Sequence, residues 1–228
     1  LSIKLSTTHR ITLPRFIPFF NQSNISFDCQ NSQETNEAIR QSHNLISRAL
    51  LSLPPGKVKL SVIDPQKLGA NAAPFTPLKK EIGGGLASNL NADIENKLAS
   101  VIRNIERIIG RCLQNKYADL AAYNIAIKDV PEDYSLLVIY DFPHGLDDSA
   151  IKKILTIIKS GPRAGVSSIF ITDRSAQIQY GFKWADFDAQ TTKLSVQSGT
   201  TGNITLENDK SLPHDSIVLY INKKYDVA

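Results

Sequence analysis

Methionine is absent from the 228 residues, cysteine occurs twice and tryptophan once. No apolar run approaches the ~20 residues that a membrane-spanning helix needs. Each scarcity excludes something. Cys29 and Cys112 are too few and too far apart for a disulfide framework or a thiolate metal site, and predict reduced, buried thiols in an intracellular, cytoplasmic chain. The histidines (His9, His43, His144 and His214) have no Cys or acidic partner at ligand spacing, so each is read as a solvated surface residue rather than a ligand or base. No metal site and no cofactor is expected. Leu1 to Thr12 lacks a charged start followed by an apolar stretch, so it is not a signal peptide. With Leu at position 1 and no methionine, the sequence is expected to be a piece of a longer protein.

What remains is ordinary for a globular chain: 42% apolar and 21% charged residues, at a length that suits one large domain or a domain with a small appendix. A formal net charge of +4 is mildly basic and by itself assigns no partner.

The order of elements is more informative. Asn24 to Asp28 reads as a strand, and Thr35 to Leu53 as a helix whose Ala38, Ile39, Ser42, Leu45, Ile46, Ala49, Leu50 and Leu53 form one stripe. Pro54-Pro55-Gly56 stops it. A strand over Lys57 to Asp64 follows, then a Gly-, Ala- and Pro-rich loop from Gly69 to Gly85. The spacing predicts a long helix over Asp93 to Tyr117, a strand over Tyr134 to Asp141, a helix over Asp148 to Lys159 and a strand over Val166 to Thr172. Nearly all-apolar strands alternating with helices predict a mainly parallel sheet covered on both faces. After Asp173 the texture becomes β-rich. A hairpin is expected from Lys193–Val196 and Asn203–Glu207, and a further strand from Ser216 to Ile221.

Ligands of such sheets sit at the carboxyl ends of the strands. Asp28, Asp64, Asp141 and Asp173 all fall there, although Asp also opens turns at such positions. Asp141, ending Leu-Leu-Val-Ile-Tyr-Asp, has the setting of an acid that holds magnesium beside a phosphate. Yet no Gly-rich loop ending in Gly-Lys-Ser/Thr occurs in the chain. Where such a loop belongs, the sequence reads Cys29-Gln30-Asn31-Ser32-Gln33-Glu34-Thr35-Asn36. It has no glycine for close backbone approach, no lysine, and a glutamate that repels phosphate. Ser32 or Thr35 is expected to cap the helix.

The stretches LPPGKVKLSVIDPQKL, at Leu53 to Leu68, and YSLLVIYDFP with IKSGPRAGVSSIFITD, within Asp93 to Asp173, resemble the FtsK/SpoIIIE family of DNA-translocating ATPases, in particular the degenerate ATPase-like module of some long members. The likeness runs from Asn24 to Asp173, about two thirds of the chain. It implies a RecA-like, P-loop NTPase-type three-layer α/β fold, ring assembly and movement along double-stranded DNA; the core is placed at 1–173, and the β-rich extension at 174–228 either continues the same sheet or forms a small appendage. It also exposes departures. Phe142 stands where the family has the glutamate that orients the attacking water, and Asp173 stands where it has the glutamine of a Thr-Gln pair.

With these parts altered together, the expectation is a catalytically inactive module without catalytic residues, in which Asp141 is a vestigial strand-end acid. The implied partners are an active motor module of the same parent chain, double-stranded DNA and neighbouring subunits of a ring. No membrane segment is read. Arg163 is the candidate for acting in trans on a neighbour's nucleotide, against the plainer reading of a turn arginine. Arg103, Arg107 and Arg111 are candidates for DNA-backbone contact, against that of a solvated helix face. Two further readings stand beside this one: a protein- or peptide-docking domain of a secretion or defence ATPase, and a metal site built on Asp64 and Asp141. Trp184, Phe182 and Phe187 are expected to pack the tail onto the core.

Overall fold

A computed structural model of the chain describes residues 2–4, 10–12, 19, 22–78, 82, 87–88, 90–127, 130–176, 182–196 and 204–206. Strands β1 (Ser2–Lys4) and β2 (Arg10–Thr12) pair antiparallel by themselves. The rest builds around β3 (Asn24–Cys29), β4 (Val58–Ile63), β5 (Ala87–Ser88), β6 (Tyr134–Phe142), β7 (Val166–Asp173), β8 (Thr191–Val196) and β9 (Ile204–Leu206). These form a seven-stranded sheet in the order β5-β4-β6-β7-β3-β8-β9. Every pairing is parallel except β8 with β9, which is the expected hairpin. Its turn and the strand expected over Ser216 to Ile221 lie outside the described residues.

The connections are helices, as the spacing predicted: α1 (Ser32–Leu51), α2 (Asn91–Arg107) and α4 (Asp148–Ser160). Two short ones escaped the periodicity, α3 (Leu120–Ala126) and α5 (Trp184–Asp188). The expected single helix to Tyr117 does not form. After Arg107 the backbone widens to a π-helical turn over Ile108–Leu113, then ends at Gln114 and Asn115 with left-handed φ of 42° and 58°.

Alternation along β6 gives the layers. Leu136, Val138 and Tyr140 face α1, together with Ile25, Phe27, Leu60 and Ile169. Leu137 and Ile139 face α2 and α4 with Ile94, Leu98, Ile154 and Ile158. Each face is an apolar core, which is why the strands read as unbroken apolar runs. Residues 70–78 of the Pro-rich loop form a 3₁₀ segment that presses Ala72 and Phe75 into the α1 side.

The Gly-Pro-Arg-Ala-Gly-Val segment has a packing cause. Gly165 holds φ 74°, and a Cβ there would stand 2.3 Å from Leu120 Cδ2. At Gly161 a Cβ would stand 2.5 Å from the Ile157 carbonyl oxygen.

The chain leaves β3, crosses beyond β7 and β6 to β4, and works back until β8 joins on the other side of β3. The order therefore reverses at β3, and a crevice opens at the carboxyl ends beside it.

Candidate functional site

That crevice is a cleft of about 470 Å³. The β3–α1 turn contributes Cys29, Gln30, Asn31, Ser32 and Thr35. Gln66 and Lys67 follow β4, Asp141 and His144 come from the end of β6, and Asp173 and Ser175 from the end of β7. The cleft thus lies where the strand-end acids indicated. Lys67, His144 and Ser175 escaped the sequence reading because loops bring them in. The one available signal was that each follows a strand-end Asp by two or three residues.

The strand-end acids have different roles. Asp64 is fully buried. Its Oδ1 accepts from the Lys67 amide at 3.3 Å and its Oδ2 from the Asn71 amide at 3.1 Å, so it shapes a turn. Both of its carboxylate oxygens are thus engaged by backbone amides. Among the described residues, no group of three or more His, Cys, Asp and Glu is placed to hold an ion. Asp28 is 8% exposed and holds an internal network: Thr172 Oγ1 donates to its Oδ1 at 2.7 Å, and Arg174 Nε and Lys193 Nζ lie 2.9 and 3.0 Å from its Oδ2.

Asp141 and Asp173 do face the cleft. Asp141 holds a left-handed φ of 53°, and the β6–β7 register shifts between Ile139 and Phe142. This bulge has two effects. It aims Asp141 into the cleft, and it turns Phe142 to the opposite side of the sheet from Tyr140, into the α2–α4 core. Phe142 is fully buried and stacks on Phe187 with ring centroids 5.2 Å apart. Phe182 and Trp184 complete this aromatic cluster, which is the core-packing role expected of them.

Burial raises the Asp141 carboxyl above the usual carboxylate range. Lys67 opposes that shift, Asp64 adds to it, and His144 and Asp173 act in smaller measure in opposite senses. Its Oδ2 is buried without a hydrogen-bond partner among the described residues. Asp173 is the converse. His144 Nε2 lies 2.9 Å from its Oδ2, and the Ser175 amide and hydroxyl donate to its Oδ1 at 2.9 and 2.6 Å. These contacts, that of His144 foremost, hold its carboxyl below the ordinary value. His144 is therefore a cleft residue and not a merely solvated one. His43 is also engaged, its Nε2 2.9 Å from the Asn71 carbonyl oxygen.

At the amino end of α1 the cap is Asn31, not Ser32 or Thr35: Asn31 Oδ1 accepts from the Glu34 amide at 2.9 Å. Glu34 folds back, and its Oε2 accepts from the Gln30 amide at 2.7 Å. Thr35 Oγ1 donates to the Asn31 carbonyl oxygen. Two backbone amides of the turn are thus occupied by the chain's own oxygens. Beside them the Cys29 thiol is pushed up to about 12, chiefly by burial, which makes it a poor nucleophile.

The arginine candidates lie elsewhere. Arg163 is on the turn before β7, at the opposite end of that strand from the cleft, with Nε donating to the Ala118 carbonyl oxygen at 2.9 Å. Arg103 and Arg111 are exposed, but Arg111 lies on the π-helical turn, where the spacing of four no longer defines one face. Arg107 between them makes a two-pronged pair with Glu132 at 2.7 and 2.8 Å. Arg107 holds the Glu132 carboxyl below its ordinary range, its hydrogen bond being the largest cause. A depressed folded pKa stabilises above the unfolded value, and that contribution disappears as pH falls through the folded pKa. Arg107→Ala is therefore expected to cost about 1 kcal/mol at pH 7, a modest figure because the pair is partly exposed. The loss should shrink as pH falls through the depressed Glu132 value, as urea unfolding at neutral and at acidic pH will show.

No helix of the described residues is long and apolar enough to cross a membrane. No family model and no curated protein matches the sequence. Solved structures do match the fold. The structure of EssC (ATPases 2 and 3) from Geobacillus thermodenitrificans aligns with a TM-score of 0.59 at 12% identity, over 76% of this chain and 32% of that one. The ATPγS-bound monomer of the pCW3 conjugation coupling protein TcpA aligns at 0.60 and 12%, over 86% and 54%. Thermomonospora curvata EccC (ATPases 2 and 3), in complex with a signal sequence peptide, aligns at 0.51 and 14%, over 77% and 31%. The chain thus spans about a third of the EssC structure and about half of the TcpA one. Together with the strand order and the cleft beside β3, these likenesses show that the chain has the RecA-like, P-loop NTPase-type three-layer α/β fold.

Proposed function

We propose that this chain is a catalytically inactive ATPase-like module of a larger motor of the FtsK/SpoIIIE type, where it organises or regulates an active module of the same parent chain within a ring on double-stranded DNA. One observation carries the inactivity. The turn that should cradle phosphates is filled by the chain's own acceptors, Glu34 on the Gln30 amide and Asn31 on the Glu34 amide. A polyphosphate entering here would lose those amides and meet the Glu34 carboxylate, with no lysine from this turn to offset it. The face that the family uses for its water-orienting acid is also unavailable, because Phe142 is in the core.

Isothermal titration with MgATP tests this reading. No heat of binding is expected at millimolar nucleotide, and none after Glu34→Gln, which removes the charge but keeps an acceptor. Micromolar affinity with hydrolysis in the isolated chain would sink it.

A second reading rests on a different observation. The EccC structure holds a signal sequence peptide, and a cleft without nucleotide can serve as a protein-binding groove. Gel shifts over a salt series separate the two, since phosphate contacts through Arg103 and Arg111 would weaken steeply with salt.

A further inference from the structure

The cleft carries more acid than base. Its lining carries the carboxylates of Asp141 and Asp173 against one lysine, Lys67, with His144 engaged on Asp173. Asp141 is the focus. No described side chain forms an ion pair or hydrogen bond with its carboxylate, its Oδ2 is buried without a partner, and burial raises its pKa. A buried carboxylate oxygen in that condition is costly unless a donor reaches the group. The polar lining otherwise consists of amides and hydroxyls (Gln30, Asn31, Ser32, Thr35, Gln66), which can surround a donor-bearing head without opposing its charge.

We propose that the cleft receives a cationic side chain, ammonium or guanidinium, carried by a protein segment that docks across the carboxyl ends of β3, β6 and β7. Asp141 is its counter-ion, and the neutral lining orients the remaining N–H groups. The proposal rests on the reading above that no nucleotide occupies the cleft. A protein segment with one cationic side chain suits the cleft better than a polyamine, because Asp173 is held by His144 and Ser175 and Asp141 is the one lining carboxylate that no described side chain engages.

The test uses the whole chain, ¹⁵N-labelled, titrated with the blocked tripeptide acetyl-Gly-Arg-Gly-amide, its citrulline counterpart, spermidine and MgATP. Arginine peptide is expected to shift the amide signals of Lys67, Asp141, His144 and Asp173. Citrulline, which keeps the shape and loses the charge, should bind at least tenfold more weakly, and so should arginine peptide to Asp141→Asn. The citrulline arm needs no variant, so it decides even where Asp141→Asn perturbs folding. Equal binding of the arginine and citrulline peptides, shifts confined to other surfaces, or no shifts at millimolar peptide each overturn the proposal. Spermidine binding in the cleft more tightly than the peptide overturns the assignment to a protein segment. Saturable shifts with MgATP at these amides overturn the premise that no nucleotide occupies the cleft, and with hydrolysis they overturn the inactive-module reading as well. Silence from both MgATP and peptide leaves that reading standing and removes this one alone.

Discussion

Replacing Phe142 with glutamate is expected to destabilise the fold by several kcal/mol and to give no ATP hydrolysis. By motif alone the substitution looks like a repair, since it restores an acid pair after the β6 strand. The structure gives the opposite outcome. The bulge at Asp141 turns side chain 142 away from the cleft, and Phe142 is fully buried against Phe170, Phe182, Trp184 and Phe187. Losing a buried phenyl ring costs about 3–5 kcal/mol. The introduced carboxyl adds a desolvation penalty that it escapes only by staying protonated. A carboxyl with a raised folded pKa destabilises as it ionises, so the deficit relative to wild type should grow as pH rises from about 4 to 8. Phe142→Leu, which keeps an apolar side chain, should lose much less, about 1–2 kcal/mol, with no such pH dependence. Urea unfolding of the three proteins at both pH values measures this. A glutamate variant as stable as wild type at pH 8 would mean that the side chain reaches solvent, and the bulge would not have the consequence assigned to it.

The same bulge shows where the sequence was legible and where it was not. Strand identity followed from apolar runs, and the layers from helical stripes such as Ala38, Ile39, Ile46 and Ala49, all buried where α1 packs on β3 and β7. The position of the cleft followed from acids at strand ends. The side on which Phe142 falls did not, because period-two reading assumes an unbroken pleat and one left-handed residue reverses it. The cap of α1 was misassigned for a similar reason. Asn31, Ser32 and Thr35 are all competent, and only the fold-back of Glu34 selects among them. The π-helical turn after Arg107 leaves no periodic trace over six residues. α3 and α5 are too short for a stripe, and tertiary contacts define them, Leu120 beneath Gly165 and Phe187 against Phe142.

The other large effect is expected at Asp28. In a nucleotide-binding relative of this fold, the residues that follow the equivalent strand would turn toward phosphate. Here the acid at the end of β3 turns inward and holds the sheet together. It bridges β7, through Thr172, and β8, through Lys193. It also meets Arg174, which pairs with Asp188 of α5 at 2.6 Å and lies 3.9 Å over the Trp184 ring. Asp28→Ala removes the shared anion and leaves two cations crowded beside the β3–β8 seam. Arg174 retains Asp188 and Lys193 keeps contacts besides Asp28, so the loss should lie near the lower end of the ~3–5 kcal/mol typical of a broken buried pair. Asp28→Asn keeps an acceptor for Thr172 and should cost less. Removing the cations together with the acid, as in Asp28→Leu with Arg174→Met and Lys193→Met, should recover much of the loss, because the penalty comes from uncompensated charge rather than from a missing attraction. Urea midpoints give the energies, and amide exchange locates them. In Asp28→Ala, protection should fall first in β8, which is tied to the sheet through β3 on one side and only the three-residue β9 on the other. Uniform loss across β4, β6 and β8 would show instead that the network acts on the whole sheet. An unchanged midpoint would show that the cations find water when the acid is gone, and Asp28 would then be an incidental neighbour of the seam rather than its tie.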